Sequence, residues 1–580
     1  MADQSATKPI AGFGDLAHNP GNPAFPTLPG AGDPNVGYLG AWGLGAELRV
    51  PIEEDKTRIV QSAIRPSRGG GVGFGGWFLN QIWVTPDPID FGDIADEKNL
   101  DVTVFSTYLD TVTFEDVDIS VSGLDITDPT ESPLWPRDLL PFSDTNLTFT
   151  ATQAGPQTFD EELSFTVNGV TFEVRTVGRR VLLLFAEPQN GGIEDLYFAT
   201  DLMRSKNGQE QAFSLRLAPF SEIQYTLRHD ASLDWQRMTI EALLVGGNPL
   251  LPYGMQLWYE AEKITTAAGS GDTTVNIDTR YMQIEAGDSF VFTTPNRVNV
   301  IAEIDSFTAS DITFTQPLGT ALPLDTYGMP VRFGHLADMP RLEFGQKNLQ
   351  DTALKLRTEA DHDLSTYPNS TYFDFHASDN KSPNRPIIRK RGLSGRTARG
   401  MIYRETQELD GITGRVFVTG TEPLGEWITD LTVYCRSKAE IYAWREFLHY
   451  VRGSWGTFYL PSFQNDLPLD QPITLGGNTF EIPYMGIEAF FNGQAPYRDL
   501  RFELEDGSVE YKRITQVTDN GNGTETVTVD SVIGSVGFSA IDSTVISFMR
   551  LCRIDGDTAK FVHLYLGEAD LTFAVRTVKE

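Results

Sequence analysis

Two segments 209 positions apart carry the same punctuation: WQRMTIEALLVGGNPLLPYG at 235–254 and WREFLHYVRGSWGTFYLPSF at 444–463. Trp235 matches Trp444, Met238 matches Phe447, Gly247 matches Gly456, and Leu251–Pro252 matches Leu460–Pro461. Further matches follow in the same order. The spacing is 205 for Val275 and Phe480, 210 for Ile304 and Ile514, 215 for Gly319 and Gly534, and 219 for Arg357 and Arg576. Offsets that grow at loops while order is kept are what a diverged tandem duplication leaves. The chain is therefore expected to fold as two alike modules, 186–365 and 401–580, superposable with Trp235 on Trp444.

Each module reads as strands, one helix, a Gly and Leu-Pro turn, an inserted β-unit (about 265–335 and about 470–550), and closing strands. In the second copy Ile441, Trp444, Leu448 and Val451 fall on one helical stripe; Trp235, Met238, Ala242 and Val245 have the same spacing in the first. Such a stripe faces a sheet. Gly247 and Gly456 are expected to end the helical region, where positive φ costs glycine nothing, and the proline to set an extended departure. Trp235, Gly247, Leu251, Pro252, Trp444, Gly456, Leu460 and Pro461 are thus scaffold positions that pack and turn.

The class expected is mainly β, because 53 Gly, 33 Pro and 11% aromatics suit short strands joined by turns better than long helices. At 580 residues several domains are expected. Residues 1–80 read as a Gly/Pro-rich extended arm whose Phe25, Tyr38, Trp42, Phe74 and Trp77 would order against a partner chain. Residues 81–185 read as a β-sandwich, with alternation at Val117, Ile119 and Val121, at Leu163, Phe165 and Val167, and at Phe172 and Val174. Residues 366–400 read as a basic linker.

A net charge of −33 argues against a general nucleic-acid binder, since polyanion affinity comes from Lys and Arg displacing counterions. The charge is uneven. Residues 87–131 hold thirteen acids against Lys98, whereas 381–399 hold seven bases and no acid. Opposite blocks of this kind suit contacts between subunits or domains, with Arg385, Arg389, Lys390, Arg391, Arg396 and Arg399 as candidate contact residues. No run of about 18 apolar residues exists, and the N-terminus lacks the pattern of a signal peptide. Cys435 and Cys552 sit in apolar strand-like segments and read as buried thiols of a protein made in a reducing cytoplasm.

Catalytic chemistry finds little footing. The seven histidines show no metal-ligand spacing, and Gly392–Gly395 falls one residue short of a nucleophile elbow. The Asp519–Glu525 run lacks the acid spacing of a calcium loop and reads as a hairpin turn. GGGVGFGGW has neither a preceding strand nor a following Lys-Ser/Thr, so it is no phosphate cradle. No metal, cofactor or catalytic residue is expected. The chain reads as non-enzymatic, a glycosidase or cell-wall hydrolase being the enzymatic alternative, because no carboxylate pair stands out among 79 acids.

The run RSKAEIYAWREFLHYVRGSWGTFYLPSFQNDLPL resembles the tail-tip proteins of long-tailed bacteriophages, in which a helix of the form "r…e…r.fl…rG" precedes a turn of the form "fwlPs…Dl". The ending FMRLCRIDGDTAKFVHLYLGEADLTFAVRTV is similar to the last strands of those proteins, and FATDLMRSKNGQEQAFSLRLAPFSEIQYTL to the opening of the same module. VTPDPIDFGDI with ATQAGPQTFDEELSFTV resembles an immunoglobulin-like domain found in that setting. The resemblance covers about two thirds of the chain. The first copy departs from it, with GGNPLLPYG in place of the fuller turn.

The resemblance implies a distal tail or baseplate hub protein of a siphovirus-like virion: a homo-oligomeric ring, trimer or hexamer, that continues the tail tube. Its partners would be the tail tube protein and other tip, hub or fibre proteins, with DNA only passing through the lumen and no stable membrane insertion. Two modules per chain would let three chains give six quasi-equivalent positions. The alternative is a carbohydrate-binding, receptor-recognition β-protein of the tail.

Overall fold

The computed structural model describes residues 78–578 with interruptions, the longest being 128–134, 230–243, 246–251, 365–370, 376–384, 392–399 and 491–496. Residues 1–77 of the proposed arm, and Trp235, Met238, Ala242, Gly247, Leu251, Arg396 and Arg399, lie outside the described residues. The structure is mainly β.

Residues 82–180 form two sheets, one of four strands and one of five. Their inward side chains share one core, including Ile89, Phe91, Val104, Phe114, Phe149 and Phe165. The alternating strand Thr158–Val167 delivers Leu163, Phe165 and Val167 to that core, and Val170–Arg180 delivers Phe172 and Val174. Arg180 closes one end, donating to the carbonyls of Thr152, Ser122 and Gly123.

From 182 onward most of the described strands belong to one connected sheet system, with three two-stranded sheets apart from it. Two of its ladders have matching registers. In the first half Phe220–His229 pairs with Gln350–Thr358 so that Glu222 faces Arg357; in the second, Glu426–Cys435 pairs with Glu568–Thr577 so that Ile428 faces Arg576. Gly192–Tyr197 lies antiparallel to the former, as Gly400–Tyr403 does to the latter. Leu182–Leu184 runs parallel to Tyr253–Gln256, and Pro386–Ile388 parallel to Phe458–Pro461.

The inserted units repeat the correspondence down to an irregularity. Asn299–Phe307 slips its register between Ile304 and Ser306; Val509–Asp519 slips between Ile514 and Gln516. Each unit has its own core, one containing Val275, Ile304, Phe314 and Leu322, the other Phe480, Val517, Val529 and Phe548. Single hydrogen bonds recur as well. Leu318 N–H donates to Asp272 O at 2.9 Å and Ile533 N–H to Gly477 O at 3.0 Å; Ser221 N–H donates to Thr358 Oγ1 at 3.0 Å and Trp427 N–H to Thr577 Oγ1 at 2.8 Å.

Four expectations need correcting, the fourth at the end of the helix. The segment 366–400 is not a free linker. Phe373 and Ile388 belong to the second half's core, Phe373 stacking on Phe447 with ring centroids 4.7 Å apart, and Pro386–Ile388 is a fully buried strand. The Leu-Pro pairs are not equivalent positions. Strand pairing sets Tyr253 against Phe458 (each faces an equivalent residue, Gly334 or Cys552), so Pro252 precedes its strand whereas Pro461 ends its own. Val245 does not pack on a sheet: it is 83% exposed, and its neighbour Leu244 contacts the core instead.

In the second half the helix Lys438–Val451 follows its sequence signals. Ser437 caps it, accepting from Glu440 N–H at 3.3 Å, while the Glu440 carboxylate accepts from Arg436 N–H at 3.0 Å. Ile441, Trp444, Leu448 and Val451 are all buried against the sheet. The positive φ that ends the helix belongs to Arg452 and Gly453, not to Gly456. Gly456 is needed for close approach: its N–H donates to Val451 O at 2.7 Å, and a Cβ there would lie 2.7 Å from Val451 backbone atoms.

Candidate functional site: the junction of the two halves

Among the described residues the sheet passes from one half to the other at one seam, Gly192–Tyr197 against Thr558–Tyr565, with Asp195 facing Lys560 and Leu196 facing Ala559. Leu196 sits in the second half's core beside Phe561 and Ala559. Asp557 ties the seam's end. Its carboxylate accepts from Thr200 N–H at 2.7 Å and Ser454 N–H at 2.6 Å, and its carbonyl from Phe198 N–H at 2.9 Å.

Behind the seam lies a buried ionic cluster drawn from both halves. Arg445, on the helix, donates to Glu194 at 2.6 Å and to Glu260. The Arg445 guanidinium lies over the Tyr259 ring, 5.1 Å from its centroid, and His563 stacks on the same ring, with centroids 4.1 Å apart and planes 3° apart. His563 Nε2 is 3.0 Å from Glu194. Lys438 adds an ion pair to Glu262 at 2.6 Å.

The electrostatics follow from burial and charge together. Burial pushes the Glu194 pKa up, but the Arg445 charge and the His563 hydrogen bond outweigh it and hold the carboxyl at about 2. Burial works against the charged Arg445, yet Glu194 and Glu260 together raise it well above its usual value. Burial lowers His563, opposed by Glu194. His449, nearby on the helix, is lowered to about 4 by burial and by the Arg445 charge; its Nδ1 accepts from Leu364 N–H at 3.2 Å, which fixes a neutral ring.

A carboxylate held at about 2 and paired to an arginine inside the protein is a poor proton donor near neutral pH. Glu194, Glu260, Arg445 and His563 are each at most 4% exposed, so no substrate reaches them. The arrangement is a clamp between halves. Among the described residues no group of three or more His, Cys, Asp and Glu side chains could hold a metal ion. Burial raises both thiols, Cys435 and Cys552, to about 12, which makes them inert packing groups.

Of the scaffold positions expected from sequence, Trp444, Leu460 and Pro461 are buried in the second half, and Pro252 is buried in the first. The candidate contact residues divide. Arg389 pairs with Asp374 at 3.1 Å, and Lys390 donates to Tyr434 O at 2.5 Å and to Glu440, so both are engaged inside the chain. Arg385 lines a cleft of about 760 Å³ with Arg204, Glu210 and Thr457, and Arg391 is exposed. The cluster itself escaped sequence reasoning, because Glu194 is 251 residues from Arg445 and 369 from His563.

No protein-family model and no curated protein matches the chain. A solved structure to which it is similar is the secreted serine protease VesC from Vibrio cholerae, at 8% identity and a TM-score of 0.13, covering 42% of this chain and about half, 49%, of that one. A likeness at that score carries no argument about fold or activity.

Proposed function

We propose that the chain is a non-enzymatic structural protein of a bacteriophage tail tip, forming a ring that continues the tail tube and connects it to the host-recognition apparatus. The observation that carries this reading is a pair of ladders in one chain with matching registers and the same slip at Ile304 and Ile514. A subunit with two alike modules set side by side matches a six-fold tube with three copies. On this reading 82–180 is the immunoglobulin-like domain, the two halves are tail-tube-like modules, and the inserted units decorate them.

The central ion cluster fits a part that must keep its modules in fixed relation rather than turn over a substrate. The net charge of −33 suits a lumen through which DNA slides, since a basic wall would hold phosphate. The test is native mass measurement of the full chain with negative-stain imaging. Rings of three or six subunits with an open centre are expected; a monomer persisting at micromolar concentration, or hydrolysis of a cell-wall substrate, sinks the proposal.

A further inference from the structure

The seam inside the chain has a counterpart in each half that, among the described residues, is paired on one side only. Gly400–Tyr403 occupies in the second half the place of Gly192–Tyr197 in the first: Met401 faces Ile428 as Asp195 faces Glu222. Arg341–Phe344 occupies in the first half the place of Thr558–Tyr565: Arg341 faces Ala353 as Lys560 faces Thr572. Gly192–Tyr197 is flanked by strands on both sides. Among the described residues, Gly400–Tyr403 and Arg341–Phe344 each pair on one side only.

The exposure pattern marks the difference. Leu196, covered by the seam, is 1% exposed; Ile402, at the equivalent place, is 75% exposed, and its neighbours Met401 and Tyr403 are 57% and 39% exposed. At the opposite end Met339, just before Arg341–Phe344, is 91% exposed. Bare backbone edges with large apolar side chains on them are otherwise avoided in soluble proteins.

We propose that these two edges join copies of this chain, Gly400–Tyr403 of one subunit pairing antiparallel with the Arg341–Phe344 edge of the next in the register of the internal seam. This rests on the ring reading and specifies its contact. Transferring the register of Asp195 with Lys560 sets Met401 opposite Arg341, Gly400 opposite Leu342 and Tyr403 opposite Met339. Ile402 then faces Pro340, which gives up one ladder hydrogen bond. As Leu196 enters the second half's core, Ile402 enters the first-half core of the neighbour. The contact is head-to-tail, so repetition alternates internal and external seams, and a rotation of one sixth of a turn at each closes a ring of three chains.

Directly opposed residues in an antiparallel pair have Cα atoms about 4.5–5.5 Å apart, within disulfide range. The test uses the full-length chain carrying Met401→Cys with Arg341→Cys, oxidised mildly, with Met401→Cys and Glu343→Cys as the out-of-register control. A covalent closed oligomer is expected for the first pair, and at least ten-fold less cross-linking for the second. Mixing the two single variants should give linked dimers only. A separate variant, Ile402→Asp, should shift the oligomer to monomer with an unchanged circular dichroism spectrum, because Ile402 touches little in its own chain. An oligomer that ignores Ile402→Asp and does not cross-link overturns the edge pairing while leaving the ring reading intact. A monomer that does not cross-link overturns both.

Discussion

The two halves differ in what they build on the same ladder. The second half fills its core with aromatic rings: Trp444 and Phe447 meet Phe373, and Phe458 and Phe573 continue the ring contacts from Phe447 beside the buried helix. At one ladder position the first half puts charge where the second puts carbon, and two residues away the reverse holds, Phe220 standing where the second half has Glu426. Glu222, opposite Arg357, accepts from Arg357 Nε at 2.8 Å and pairs with Lys355, whereas the equivalent Ile428 is apolar and Arg576 opposite it pairs with Glu426 and Asp555 instead. What is shared is backbone pairing; what differs is side-chain chemistry. A ladder of hydrogen bonds tolerates replacement of nearly every side chain as long as the pleat alternates. The shared scaffold therefore says where modules meet, and the unshared side chains say what each contributes.

The sharpest way to break the comparison is to remove the ion that holds the halves together. Arg445→Ala would leave Glu194 and Glu260 buried without a counter-charge, a loss on the order of 3–5 kcal/mol in urea unfolding of the full chain. Adding Glu194→Gln and Glu260→Gln to Arg445→Met should recover a large part of it. A triple variant as unstable as Arg445→Ala would show that packing, not charge, sets the cost.

Acid should act on the same region next. Glu194 has a depressed folded pKa, so its contribution is present above about pH 4.5 and lost as pH falls through about 2. His449 works higher on the scale. Between about pH 6.5 and about 4 the unfolded chain takes up a proton that the buried ring refuses, so stability drops as pH falls through that window, by up to roughly 3 kcal/mol. His449→Gln should flatten the decline in urea midpoint between pH 7 and 4. An unchanged slope would assign the decline to other groups, such as His563, which shifts in the same direction.

Gly456→Ala tests a local difference between sequence and structure. Its Cβ would meet Val451 backbone, which cannot swing aside as a side chain can, so a loss of about 1–3 kcal/mol is expected in thermal unfolding. A cost below about 0.5 kcal/mol would mean that the helix end yields easily.

The sequence carried the ladder better than the motif that first drew attention to it. Val275 with Phe480, Ile304 with Ile514 and Arg357 with Arg576 are equivalent by strand register, because strand residues alternate and leave no freedom to slip. Leu251–Pro252 and Leu460–Pro461 misled because in the second half a helix and turn precede the strand, where insertions shift letters without shifting the fold. The strand Pro386–Ile388 was hidden by its basic flanks and by a parallel partner about 70 residues away. The ionic cluster had no local signal at all, since its members meet only when the seam closes.

The finest test of the shared scaffold uses one hydroxyl in each half. Thr358 Oγ1 and Thr577 Oγ1 accept the N–H of Ser221 and of Trp427. Replacing either by valine keeps the shape and orphans a backbone donor at the sheet margin, at about 1 kcal/mol by urea unfolding. The two costs should not be equal. Thr358 is also 3.2 Å from Ser221 Oγ and donates to Ser221 O at 3.1 Å, while Thr577 has a single such bond among those described, so Thr358→Val should cost more by a few tenths of a kcal/mol. Equal costs would mean that the bond to the N–H, common to both halves, carries the whole effect; a larger cost at Thr577 would mean that the two positions are not energetic equivalents despite their matching register.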